Sequence, residues 1–187
     1  MSGGTLVLVL GDQLDRDATP LDRFDPASDR VVMVESRGES TRVSSHKARS
    51  ALFLSAMRHH RDWLREQGYP VDYTHVGGAH GESLEAGLRA ALHRHRPALL
   101  RMTEAGEYGV QRRVEAVCAA AGVPMDVHPD HHFLCGRKEF EAWGATRKTL
   151  VMEHFYRHMR RRHQVLVEEG GGPVGGRWNF DPDNRRP

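Results

Sequence analysis

Cysteine is scarce. The 187 residues contain two, Cys118 and Cys135, too few for a four-thiolate metal or iron–sulfur site and too few for a disulfide-stapled scaffold. A reducing cytoplasm is therefore the expected compartment. Long apolar runs are also missing. None approaches the ~18 residues of a membrane span, and the mean hydropathy is −0.61, so no membrane association is expected. The opening residues, MSGGTLVLVLGDQ, lack the basic flank and small-residue cleavage site of a secretory leader. An excess of one charge is lacking too: 27 Lys and Arg stand against 25 Asp and Glu, a net of +2, which by itself implies no nucleic-acid coat. The loop after the first aliphatic run lacks the dinucleotide fingerprint GxGxxG, and the P-loop GxxxxGK(S/T) and the nucleophile motif GxSxG are absent. No internal repeat or low-complexity tract occurs.

What is present is an ordinary soluble composition, 39% hydrophobic and 28% charged, in an alternating pattern. Thr5 to Leu10 is a continuous aliphatic run stopped by Gly11, the signature of a buried parallel strand. Val31 to Val34, Val71 to Val76, Ala98 to Met102 and Val123 to Val127 read as four more. Between them the period changes to that of helices. Residues 45–67 carry Ala51, Leu52, Leu54, Ala56, Met57, Trp63 and Leu64 on a broad stripe closed by Gly68. Leu84, Leu88, Ala91 and Leu92 recur at helical spacing, as do Val110, Val114, Val117, Cys118 and Ala121, with Gly122 as C-cap. Strands alternating with single helices predict an α/β fold: an open parallel sheet of about five strands with helices on both faces.

The pattern changes after Val127. Residues 128–148 are polar, with a short helical piece near Glu139 to Trp143, and residues 149–168 read as one long helix. Segment 137–162 holds eight Lys and Arg against three Glu, so the Arg157–Arg162 run is a solvated face or faces phosphates or an acidic partner. The tail PVGGRWNFDPDNRRP sets Trp178 and Phe180 among turn residues, and both are costly to leave in water. The expected division is residues 1–130 as the α/β domain and residues 131–187 as a connecting helix and linker toward a further domain. A tail folded back onto the protein's own sheet is the alternative.

In an open parallel sheet, ligands bind beyond the carboxyl ends of the strands. Here that edge carries Asp12 and Gln13 after the first strand, Glu35 to Glu39 after the second, and Thr103-Glu104 after the fourth. A carboxylate and an amide suit a neutral, hydrogen-bonding ring or a polyol better than a triphosphate. Against this, Asp12 also reads as a turn or helix cap, and Glu35 and Glu39 as partners of Arg37 or Arg42 in a solvated loop. Of the 13 histidines, His154 and His158 are spaced i, i+4, but the HExxH glutamate is missing and the other histidine pairs lack an obvious third ligand, so no metal site is expected.

Five stretches carry a resemblance: GDQL at 11–14, HKxRxxxxxSAMRHH at 46–60, TEAGEY at 103–108, RKTLVMEHFYRHMRRR at 147–162 and GGRWNFDPDNR at 175–185. Together, in order and over nearly the whole chain, they closely resemble the N-terminal part of the deoxyribodipyrimidine photolyase-related family, the bacterial iron–sulfur cryptochromes and (6-4) photolyases. The resemblance implies a Rossmann-like antenna domain followed by a separate helical domain that holds FAD and a [4Fe–4S] cluster and meets DNA. It implies 6,7-dimethyl-8-ribityllumazine as antenna pigment, at Asp12, Gln13, Val34, Glu35 and Glu39, with Phe53 lining the pocket or the domain interface. It implies light harvesting for repair of DNA photoproducts once joined to the helical FAD-binding domain, and no catalysis by this chain alone. Two other readings compete. One is a pigment-free interaction module docking on a partner domain through residues 147–186. The other is a nucleotide-utilising enzyme on the same frame, which predicts a phosphate loop not found here.

Overall fold

In the computed structural model, residues 3–181 are described. The chain divides into two compact units, Met1–His131 and His132–Pro187.

The first unit is a five-stranded, all-parallel sheet: β1 (Thr5–Leu8), β2 (Arg30–Val34), β3 (Val71–Thr74), β4 (Leu99–Thr103) and β5 (Met125–His128). Its spatial order is β3-β2-β1-β4-β5. β1 is central, with Val7 in register with Val31 on one side and Arg101 on the other. Each strand is short, and the side chains alternate between faces. Leu6, Leu8 and Leu10 point to one face, where they join Val32, Val34, Leu100 and Met102 against α3 (Leu84–His95) and α4 (Tyr108–Ala121). Val7, Val9, Val31 and Met33 point to the other face, onto Met57 and Leu64 of α2 (Lys47–Glu66) and Leu21 of a 3-10 turn. The fold is therefore the open, Rossmann-like α/β sheet that the alternation predicts, with helices on both faces.

The expected strands and helices shift by a few residues in the structure. β1 ends at Leu8, although Val9 N–H still donates to Val32 O at 3.0 Å. Gly122 caps α4 in the left-handed region, at φ 66°, as its position predicts. Gly87 lets α3 approach the sheet, because a Cβ there would fall 2.6 Å from Val34 Cγ1. One helix was not anticipated: α1 (Arg37–Thr41), started by Ser36, whose Oγ accepts from Glu39 N–H at 3.1 Å.

The second unit holds α5 (Arg137–Ala145) and α6 (Met152–His163). Trp143 is its buried centre, edge-on to Phe155 at 5.0 Å and stacked on Phe140 at 5.8 Å. The expected helix over 149–168 is cut to twelve residues. Gln164 turns left-handed at φ 54°, and the chain doubles back through a bridge between Val167 and Pro173. Arg160 drives this turn: its buried guanidinium donates to the carbonyls of Val165 and Leu166, which a continuing helix would have kept for itself. The Arg157–Arg162 run is largely used inside the unit. Arg157 pairs with Glu153, Arg162 pairs with Glu139, and Arg161 lies 4.7 Å from the Trp178 ring centre. Trp178 is thus half-buried on α6, while residues 182–187 of the tail lie outside the described residues.

Candidate functional site

The strand order reverses beside β1, where the chain leaves for β2 and β3 on one side and returns to β4 on the other. The connections that follow β1 and β4 pack on opposite faces of the sheet, Leu21 on one and α4 on the other, which is where an open α/β sheet has room for a ligand. A cavity of about 280 Å³ lies at that place, near the lower size limit of ordinary ligand pockets (~300 Å³).

Each wall comes from a local feature of the sequence. Leu10, Gly11 and Asp12 leave the end of β1; Val34 ends β2, followed by Ser36, Glu39 and Ser40 of α1; Ala105, Gly106 and Glu107 lead into α4. Phe53, Leu54 and Met57 of α2 supply the apolar wall. Gly11 makes room for it: a Cβ there would stand 2.6 Å from Phe53 Cε1 and 2.8 Å from Met57 Sδ. A glycine at this point lets α2 press an aromatic ring and a polarizable thioether against the strand end.

The six residues expected at the site separate into two groups. Asp12, Val34, Glu39 and Phe53 line the cavity. The Asp12 side chain is exposed and makes no hydrogen bond or ion pair among the described residues. Glu39 is engaged: its Oε1 accepts from Arg113 Nη2 at 2.6 Å. Gln13 and Glu35 are not among the lining residues. Gln13 is buried, and its Nε2 donates to Glu104 O at 2.6 Å, tying the β1 loop to the β4 loop. Its Oε1 is buried without a partner.

Glu35 departs furthest from the sequence reading. It is no solvated loop carboxylate but 0% exposed. It does not pair with Arg37 or Arg42; Arg58 grips it with two bonds of 2.6 and 2.9 Å. Tyr73 Oη and Val76 N–H donate to it at 2.6 and 2.8 Å. Burial alone would raise its pKa, but the bonds from Arg58, Tyr73 and Val76 outweigh burial and bring it down to about 2. Burial and the Glu35 charge push the Tyr73 hydroxyl above its ordinary range. This group ties the end of β2 to β3, the loop after it and α2.

Residues that the sequence reading did not place at the site complete the lining: Ser40, Val43, Arg49, Ser50, Glu107 and Arg42, which was expected only as a loop partner of Glu35 or Glu39 and does approach Glu39 at 3.9 Å. Arg42 and Glu107 form a bidentate ion pair of 2.7 and 2.6 Å across a separation of 65 residues. Local spacing carries no sign of such a pair. Glu107 lies within the TEAGEY stretch, the one signal that pointed to it. Cys118 packs in the core on α4, where burial pushes its thiol up to about 11, so it is no reactive nucleophile. Among the described residues, no group of three or more His, Cys, Asp or Glu is placed to hold a metal ion. No helix among them is long and apolar enough to cross a membrane.

A sheet-edge cavity of this kind on a Rossmann-like frame defines an α/β unit with a candidate ligand site at the switch point of its sheet. Its sequence matches the profile described as "Deoxyribodipyrimidine photo-lyase-related protein" over residues 7–187, and the chain belongs to that family. It is similar to a protein of Agrobacterium fabrum described as "(6-4) photolyase", 41% identical over 183 residues, which is 97% of this chain. The chain spans 36% of the length of that relative.

Proposed function

We propose that this chain is the antenna-chromophore-binding part of a photolyase- or cryptochrome-type protein, and that its cavity holds 6,7-dimethyl-8-ribityllumazine. The observation that carries the reading is the cavity itself: an apolar wall of Phe53, Leu54 and Met57 facing a rim of carboxylates and hydroxyls at the sheet's switch point. The residues suit this pigment. Phe53, Met57 and Val34 offer a flat, polarizable surface to a fused ring. Asp12, Ser36, Ser40 and Ser50 offer partners for ring and ribityl hydrogen-bonding groups. Glu39, although paired with Arg113, keeps further lone pairs for a ring N–H.

Once bound, the pigment supplies near-ultraviolet or blue absorption. The protein's part is to hold it, exclude water from the ring and fix its orientation for energy transfer. FAD and the [4Fe–4S] cluster belong, in this reading, to a helical FAD-binding domain outside these 187 residues. DNA photoproducts are met through that domain, by extrusion of the damaged bases. The 36% share of the relative's length and the two cysteines of this chain support assigning the cluster elsewhere.

The test is a titration of the purified chain with 6,7-dimethyl-8-ribityllumazine, followed by absorption and fluorescence after removal of excess dye. A retained, shifted band in the ~400 nm region supports the reading; a colourless protein refutes it. Asp12→Asn and Phe53→Ala should each weaken binding by roughly 5- to 100-fold, the equivalent of one buried hydrogen bond or ring contact at ~1–3 kcal/mol. Unchanged affinity in both variants would place the dye elsewhere.

A further inference from the structure

The helix α1 is held unevenly. At its start, Arg37 N–H and Gly38 N–H donate to Gly81 O and Glu82 O at 2.9 and 3.0 Å. Ser36 caps it from the same end. None of its five residues is buried, and residues 42–49, which follow, are exposed. Its far end is tied down by ion pairs. Arg42 takes Glu107 in two bonds, Glu39 takes Arg113 at 2.6 Å, and Arg113 reaches Glu85 at 3.3 Å. Arg42 and Glu39 approach each other at 3.9 Å, which joins the pairs into one row of alternating charge.

Glu107 stands at the N-cap position of α4, where a carboxylate ordinarily turns to the helix's free N–H groups. It does not do so: the side chain makes no cap bond and is directed to Arg42 instead. Both side chains line the cavity, and both are about half exposed, at 50% and 46%. The pair therefore stands at the rim, where the cavity meets solvent.

We propose that residues 37–49 form a strap over the cavity, latched by the Arg42–Glu107 pair, whose release admits and frees the ligand. The part concerning ligand rests on the lumazine reading above; the latch is readable without any ligand. A half-hydrated pair suits the task. It is geometrically specific because it is bidentate, yet opening it desolvates nothing new and costs little. Salt screens it, so release quickens as ionic strength rises.

The experiment uses the 187-residue chain with Arg42→Ala and, separately, Glu107→Gln. Hydrogen exchange read by mass spectrometry should quicken about 5-fold or more over residues 37–49 in both variants, with β1, β2 and β4 unchanged. Release of 6,7-dimethyl-8-ribityllumazine, followed by stopped-flow displacement, should quicken to a similar degree. The salt acceleration of release expected in the wild type should disappear in the variants. The reversed pair, Arg42→Glu with Glu107→Arg, should restore slow exchange and slow release. Unchanged exchange over 37–49 would overturn the latch. Quickened exchange with unaltered release of bound dye would overturn the strap as the ligand's route. If the wild type retains no dye, the lumazine reading fails, and the exchange data alone still decide whether the latch exists.

Discussion

At the residue scale, Glu35 shows what the sheet edge demands of a carboxylate. A buried carboxylate is unfavourable unless its oxygens are occupied, and here Arg58, Tyr73 and Val76 occupy them. Its pKa falls from an ordinary 4.5 to about 2. A carboxylate with a depressed folded pKa stabilises the fold above its unfolded pKa, and that contribution is lost as pH falls through the folded value. For Glu35 the window runs from about 4.5 down to about 2. Glu35→Gln, which keeps the shape and removes the charge, should cost ~3 kcal/mol near neutral pH. The difference from wild type should shrink toward zero as pH approaches 2. Urea unfolding at a series of pH values measures both. A difference that stays constant down to pH 2 would mean that Glu35 is not ionised in the fold. Glu35→Ala should cost more, up to ~5 kcal/mol, because the Arg58 guanidinium, the Tyr73 hydroxyl and Val76 N–H all lose their acceptor.

At the element scale, the sequence was most readable where helices carry their own caps and stripes. The α3 and α4 patterns and the Gly122 stop followed from spacing alone. It was least readable where a distant side chain decides a boundary. Nothing local ends α6 at His163, since 149–168 keeps helical propensity; the turn depends on Arg160 reaching forward to Val165 and Leu166. Likewise α1 reads as a polar loop because its five residues bury nothing, and the ion pairs that hold it come from α3 and α4. The same lesson applies to Trp178, which looks like a stranded aromatic in a linker. Its ring lies 4.7 Å from the Arg161 guanidinium, 4.9 Å from Arg160 and 5.8 Å from Arg157. Three like charges on one helix repel, and an aromatic face shared among them offsets that repulsion. Trp178→Ala should therefore lower the stability of the second unit by ~1–2 kcal/mol, with Trp178→Phe recovering part of the loss. The probe is protease resistance of residues 132–181 in urea, since guanidinium would screen the charges. No change in resistance would return the tail to a plain linker.

At the scale of the whole chain, the parallel sheet was legible because continuous aliphatic strands alternate with striped helices, and the location of the cavity followed from strand order. Which side chains enter that cavity was not, because Gln13 and Glu35 sit next to lining residues in sequence yet turn into the protein instead. One consequence concerns self-sufficiency. Both apolar clusters of the sheet draw their residues from positions 6–125, and every lining residue of the cavity falls between Val9 and Val110. All five strands pair between Thr5 and His128. A separate aromatic centre, Trp143 with Phe140 and Phe155, serves the second unit. A unit that owns its core, its sheet pairing and its ligand walls meets the requirements for independent folding. Residues 1–131 expressed alone should thus unfold cooperatively and bind 6,7-dimethyl-8-ribityllumazine within about 3-fold of the affinity of the 187-residue chain, since no lining contact is removed. Calorimetry of the fragment and a parallel dye titration of both proteins measure this. A fragment that folds but binds more than tenfold weaker would show that the second unit shapes the cavity at a distance. One that melts without a transition would show that the sheet depends on residues 132–187 for its stability.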